Sequence, residues 1–201
     1  MHGPEGLLPG KLVLIIGPSG VGKSAILQQL RKNHPALRFP RSATTRARRP
    51  GEGDDLYRFL TDAEFDRFLA EEKFLEWATV HGQARYGTLV DEIIPAIKRG
   101  ETVVREVDVQ GFESIRNHPL FSGKDAPYVL RSIFILPESR EQLIAHITKR
   151  APMAEDEIER RMASMEKEIQ FAALCTGHVV SREGKLDEVV EEVAGKIAGA
   201  E

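Results

Sequence analysis

Residues 12–16, Leu-Val-Leu-Ile-Ile, are an unbroken apolar run bounded by Gly17 and Pro18, the pattern of a strand buried on both faces as in a parallel sheet. From Lys23 the period changes. Ile26, Leu27 and Leu30 recur at helical spacing among polar residues, and Pro35 punctuates the end, so the unit is strand, glycine turn, helix. Residues 40–57 lose periodicity and gather Pro40, Pro50, Gly51 and Gly53 with Arg41, Arg46, Arg48 and Arg49, which predicts a polar loop of the kind that carries function. Helical spacing returns at 62–70, with Thr61 or Asp62 as cap. A β-like segment at 74–80 and a helix over 88–99 follow. Residues 102–107 and 132–136 read as two further buried strands, with a helix near 111–117 between them. Helices are predicted over 138–149 and 155–171 around an Ala151-Pro152 break, then a strand at 177–181 and a helix over 186–199. This alternation defines an α/β chain.

The 201 residues suit one large domain, or one core carrying inserted subdomains. With 41% apolar and 29% charged residues, disorder and fibrous repeats are excluded. The 28 basic residues against 31 acidic ones give a net charge of −3, so nonspecific nucleic-acid binding does not dominate and any anion site must be local. The one cysteine, Cys175, allows no internal disulfide. The first apolar run is far short of a membrane span and no basic leader precedes it, so the sequence reads as cytoplasmic, with no membrane partner.

Gly17-Pro18-Ser19-Gly20-Val21-Gly22-Lys23-Ser24 fits GxxxxGK(S/T) at every defined position. Glycines at these places let backbone N–H groups turn inward around phosphate oxygens, and the following helix presents its positive end. Lys23, at a solvent-facing helix start, reaches the β and γ phosphates, and Ser24 ligates Mg2+. By itself the motif says nucleoside triphosphate and leaves GTPase, ATPase motor and small-molecule kinase open. The arginine-rich loop implies a second phosphate site, since guanidinium forks suit a phosphate monoester better than lysine does.

Several further stretches stand in one order: Ser42-Ala-Thr-Thr-Arg46-Ala-Arg-Arg49-Pro-Gly-Glu52, Tyr57-Arg-Phe59, Phe74-Leu-Glu76-Trp77-Ala, Tyr86-Gly-Thr88 and Asp108-Val-Gln-Gly111. From about Lys11 to Gly199 the chain resembles the guanylate kinase family, which transfers the γ-phosphate of ATP to GMP. The resemblance implies a P-loop NTPase-type parallel-sheet core flanked by helices (about 8–39, 91–138 and 171–201), a GMP-binding subdomain (about 40–90) and a lid (about 139–170). It implies that Ser42, Arg46, Arg49, Tyr57 and Tyr86 hold the GMP phosphate while Glu76 and Thr88 read the base. Arg150 and Arg161 match the lid arginines, and His146 stands where the family usually has another arginine. Glu106 and Asp108, on one side of an extended strand end, are candidates for the metal shell or the GMP ribose. The family's adenine-contacting Asn-Asp-Asp reads Ser181-Arg182-Glu183 here.

Residue chemistry agrees with the base assignment. Guanine offers two donors side by side, N1–H and the 2-amino group, which one carboxylate accepts together; adenine cannot satisfy it. A hydroxyl such as Thr88 or Ser42 donates to guanine O6. The alternatives are a catalytically weak protein-binding module on the same fold, or a P-loop kinase for another phosphorylated acceptor.

Overall fold

The computed structural model describes residues 10–80, 84–150 and 153–199. The expected Ala151-Pro152 break and the first two residues of the expected core, 8 and 9, lie outside the described residues. In chain order the elements are β1 (Lys11–Ile16), α1 (Lys23–Asn33), β2 (Ser42–Thr44), β3 (Tyr57–Phe59), α2 (Asp62–Ala70), β4 (Phe74–Val80), β5 (Ala84–Leu89) and α3 (Val90–Lys98). Then come β6 (Thr102–Glu106), α4 (Val109–Asn117), β7 (Val129–Pro137), α5 (Arg140–Arg150), α6 (Glu155–Ile169), a 3-10 turn (Gln170–Leu174), β8 (Gly177–Ser181) and α7 (Leu186–Ala198). Strand order is β6-β1-β7-β8 in one four-stranded sheet and β3-β2-β5-β4 in another.

Contacts group the chain into two units. One holds residues 13–35, 106–109 and 131–201. In it the apolar run of β1 is fully buried from Val13 to Ile16, as the unbroken hydrophobic pattern requires of a strand covered on both faces. Strands β7 and β8 run parallel, with Ile133 opposite Gly177 and Pro137 opposite Ser181. Helix α7 turns Val189, Val190, Val193 and Ile197 inward, an i, i+1, i+4, i+8 stripe, and packs beside α1.

The other unit holds residues 36–105 and 110–130 with the chain up to Leu12. Its sheet is built on β2, which pairs parallel to β3 and antiparallel to β5; β5 pairs antiparallel to β4. Phe65, Phe68, Phe74, Ala43 and Leu89 form its core, with Phe65 stacked on Phe74 at 4.4 Å between ring centroids. Helix α2 starts with a reciprocal cap: Glu64 N–H donates to Thr61 Oγ1 and Thr61 N–H donates to Glu64 Oε2, which satisfies two orphan donors at once.

The main differences from the sequence expectation fall between residues 40 and 90, where β3 and β5 have no predicted counterpart. The stretch read as a loop over 40–57 contains β2, three residues long and therefore too short for a period to show. The helix expected from 88 begins at Val90, because Thr88 and Leu89 still pair with β4 as the end of β5.

Candidate active site

The phosphate loop lies wholly in the unit built around β1. Gly17 is buried where that strand ends, and a Cβ there would stand 2.5 Å from Ile135 O, so only glycine lets the two strands meet. Gly22, at φ 100°, turns the chain through the left-handed region into α1. Helix α1 starts with no side-chain cap and no acidic residue in its first turn, which leaves its positive end suited to an anion. Lys23 is not solvent-facing as expected. Its side chain is 12% exposed, and Nζ donates to Gly17 O at 2.6 Å and to Pro18 O at 3.0 Å, folding the ammonium over the loop it serves. Glu106 Oε1 stands 4.0 Å from Nζ. Ser24 is exposed on the first turn of the helix.

Glu106 ends β6, and Asp108 lies beyond the strand, exposed, just before α4. The strand expected over 102–107 ends at Glu106 and does not extend to Asp108. Both group with the phosphate-loop unit. Glu168, on α6, belongs to none of the sequence motifs. Burial pushes its carboxyl above the ordinary range, the Lys23 charge pulls it down and Asp108 pushes it up again, so α6 brings a third acid to this charge cluster. Nothing in its helical spacing could have shown this.

The lid candidates differ among themselves. Arg161 Nε donates to Glu157 Oε1 at 2.9 Å within α6, and Arg160 pairs with Asp156 and Glu157. The side chain of Arg150 lies outside the described residues. His146 Nδ1 is 2.9 Å from Gly20 O and Nε2 is 3.0 Å from Glu183 Oε2. Both partners are acceptors, so both bonds form together only on the imidazolium. Beside it, a cleft of about 190 Å³ is lined by Gly22, Ile26, Gln142, His146, Ser181 and Glu183 among others. Ser181 O accepts from Gln142 Nε2 at 2.9 Å, and Arg182 is paired with Glu192 at 2.9 Å.

The second cluster lies in the unit built on β2. Strand pairing sets Ser42 opposite Tyr57, Thr44 opposite Tyr86 and Glu76 opposite Thr88, so residues spread over 46 positions converge on one small sheet. Thr88 Oγ1 donates to Glu76 Oε1 at 2.5 Å. Arg46 gives two parallel bonds to Glu52, at 2.6 and 3.0 Å, and its guanidinium carbon lies 5.1 Å from the Tyr57 ring centre. Its pKa is raised, first by Glu52 and further by the Tyr86 hydroxyl. Glu52 also accepts from Arg49 N–H at 3.0 Å; together the Arg46 guanidinium and this amide hold its carboxyl down to about 2.

The arginine crowd resolves accordingly. Arg46 stands with Tyr57 and Tyr86, whereas Arg41 is paired with Glu92 at 2.6 Å and Arg48 with Asp54. Arg49 enters this cluster through its backbone. Sequence reasoning missed Arg105, whose Nε donates to Thr88 Oγ1 at 2.9 Å and whose Nη1 donates to Ser42 Oγ at 2.7 Å. Ser42, assigned by resemblance to the phosphate, is thereby tied to the Glu76–Thr88 pair. The one available signal was the charged pair Arg105-Glu106 following the apolar Val103 and Val104 of β6.

A glycine turn between a buried strand and an uncapped helix, with a lysine folded onto it, defines a P-loop nucleotide-binding protein of the α/β class. The guanylate kinase family model matches residues 9–199, and the chain belongs to that family. It is 39% identical over 191 residues to the guanylate kinase of Gloeobacter violaceus, covering 94% of this chain and 88% of that one. It is 38% identical over 160 residues to the guanylate kinase of Tropheryma whipplei strain Twist, covering 79% of each. The crystal structure of guanylate kinase from Anaplasma phagocytophilum superposes with a TM-score of 0.65 at 23% identity, covering 96% of this chain and 87% of that one, which bears out the fold.

Proposed function

We propose that this protein transfers the γ-phosphoryl group of ATP to GMP, giving ADP and GDP. Family membership supports the reaction, and the observation that carries the acceptor is the Thr88–Glu76 pair. With Thr88 donating to Oε1, the remaining lone pairs of Glu76 suit the adjacent N1–H and 2-amino donors of guanine, a pattern adenine, cytosine and uracil do not present. Arg46 with the hydroxyls of Tyr57 and Tyr86, and Arg49 from the same loop, bind the monophosphate. We assign Ser42 to the base end, since it shares Arg105 with Thr88.

The backbone N–H groups of residues 17–24, with Lys23, bind the triphosphate. Adenine enters the cleft beside His146 and Ser181. The GMP phosphate, whose second pKa is about 6 like that of a phosphoserine, is already largely ionised near neutral pH, so no strong general base is needed. Positioning and charge neutralisation carry the catalysis. Lys23, Arg150 and Arg161 neutralise charge on the transferring group. Arg161 must leave Glu157 to do so, and an exposed i,i+4 pair is readily broken. Mg2+ fits the residues present: the Ser24 hydroxyl and the Asp108 carboxylate are hard oxygen donors, and this ion takes few protein ligands beside waters and substrate phosphates. When bound it supplies charge neutralisation and orientation at the phosphates.

The division into a core (about 8–39, 91–138 and 171–201), a GMP-binding segment (about 40–90) and a lid (about 139–170) belongs to this reading, as does a cytoplasmic location. Among the described residues no helix is long and apolar enough to cross a membrane. The test is a coupled ADP-release assay of purified protein with ATP, Mg2+ and GMP, AMP, CMP or UMP in turn. GMP should be turned over far faster than the others; equal turnover of AMP and GMP would reject the proposal.

A further inference from the structure

We infer that Arg105 is a specificity-determining positioning residue of the guanine pocket, holding Ser42, Thr88 and Glu76 in the one hydrogen-bonding polarity that guanine matches. The inference rests on the assignment of Glu76 and Thr88 to the base.

Arg105 lies on β6 between Val104, which is buried, and Glu106, and its side chain is directed at the second sheet. One guanidinium reaches two strands at once: Nε–H to Thr88 Oγ1 on β5 at 2.9 Å, and Nη1–H to Ser42 Oγ on β2 at 2.7 Å. An unforked side chain cannot make both contacts at once.

The consequence is a fixed direction for each hydroxyl proton. A hydroxyl is both donor and acceptor, and left alone it rotates to suit its neighbour. Guanidinium has five N–H donors and no acceptor, and stays charged at all working pH values. A hydroxyl that accepts from it must therefore point its own proton elsewhere. Thr88 sends its proton to Glu76 Oε1, at 2.5 Å, which ties that carboxylate oxygen to β5. Ser42 is left to donate away from Arg105, as an acceptor such as guanine O6 requires. Adenine reverses both demands, offering an amino donor at position 6 and an acceptor at N1. Polarity set before binding removes an ordering cost when the base arrives.

The experiment measures steady-state kinetics for GMP and for ATP in Arg105→Leu, Arg105→Lys, Thr88→Val, the Arg105→Leu/Thr88→Val double variant and Glu76→Gln, with thermal melts for each. Arg105→Leu should raise the GMP KM about tenfold while kcat and the ATP KM stay within about twofold. Arg105→Lys keeps the charge but reaches one hydroxyl, so its GMP KM should be intermediate. In the double variant the loss should be much smaller than the product of the single losses, because both changes break the same chain. An unchanged GMP KM in the folded leucine or lysine variant, equal losses toward GMP and ATP, or multiplicative effects in the double variant would overturn the inference. If the leucine variant does not fold, the lysine variant and its combination with Thr88→Val carry the same comparison. Glu76→Gln separates the two levels. If it impairs GMP use and the Arg105 variants do not, this inference alone fails. If it too leaves GMP kinetics unchanged, the assignment of the pocket fails.

Discussion

Replacing Glu76 with Gln changes one oxygen to an NH2 group and leaves shape nearly intact, so it isolates the acceptor count. In the folded protein Oε1 is occupied by the Thr88 hydroxyl at 2.5 Å. If the amide keeps its oxygen there, its NH2 faces the two N–H donors of guanine. If it flips, it meets guanine with its oxygen but sets NH2 toward Thr88, whose oxygen already accepts from Arg105 at 2.9 Å. Either orientation loses at least one hydrogen bond to a charged acceptor, worth about 1.5–3 kcal/mol. At 1.4 kcal/mol per factor of ten this is a fall of roughly 10- to 150-fold in kcat/KM for GMP. Coupled ADP release with GMP and IMP as acceptors measures it. IMP lacks the 2-amino group, so Glu76→Gln should shrink the preference for GMP over IMP, while the ATP KM stays near wild type. A GMP kcat/KM within twofold of wild type, in a variant with an unchanged melt, would refute the acceptor argument.

Other outcomes follow from the same geometry. Lys23→Ala should reduce transfer below a thousandth of wild type, while the fold loses among other contacts two hydrogen bonds from a charged donor to loop carbonyls, about 1.5–3 kcal/mol each; activity within tenfold of wild type would reject the role. Glu52 should titrate near 2 by carboxylate NMR, because Arg46 and then the Arg49 amide favour its charged form. Its folded pKa lies below the ordinary value, so the clasp contributes fully above about pH 4.5 and is lost as pH falls toward 2. A titration midpoint near 4.5 would show the clasp does not persist in solution. Phe65→Ala, removing a fully buried ring stacked on Phe74, should cost about 3–5 kcal/mol in urea unfolding; a loss under 1 kcal/mol would mean the core of that unit is not packed as described.

What the sequence by itself determined is the part governed by local rules. The all-apolar run of β1, the glycines at 17, 20 and 22, the helical period after Lys23 and a cap at Thr61 or Asp62 are each written in a few adjacent residues, and each appears where expected, the cap at Thr61. The chain's motifs also placed Glu76, Thr88, Tyr57, Tyr86 and Arg46 as a set, and the fold brings these together. Pairing that depends on partners far along the chain was decided only by tertiary structure. Strand β2 spans three residues and exists because β3 and β5 flank it. Four arginines close in sequence look alike, yet Glu92, Glu52 and Asp54 sort three of them into different ion pairs. Arg105 reads as an odd charge in a buried strand until Ser42, 63 positions earlier, and Thr88, 17 positions earlier, are set within reach of one guanidinium. A half-buried cation needs acceptors, and which residues supply them is a property of the folded chain.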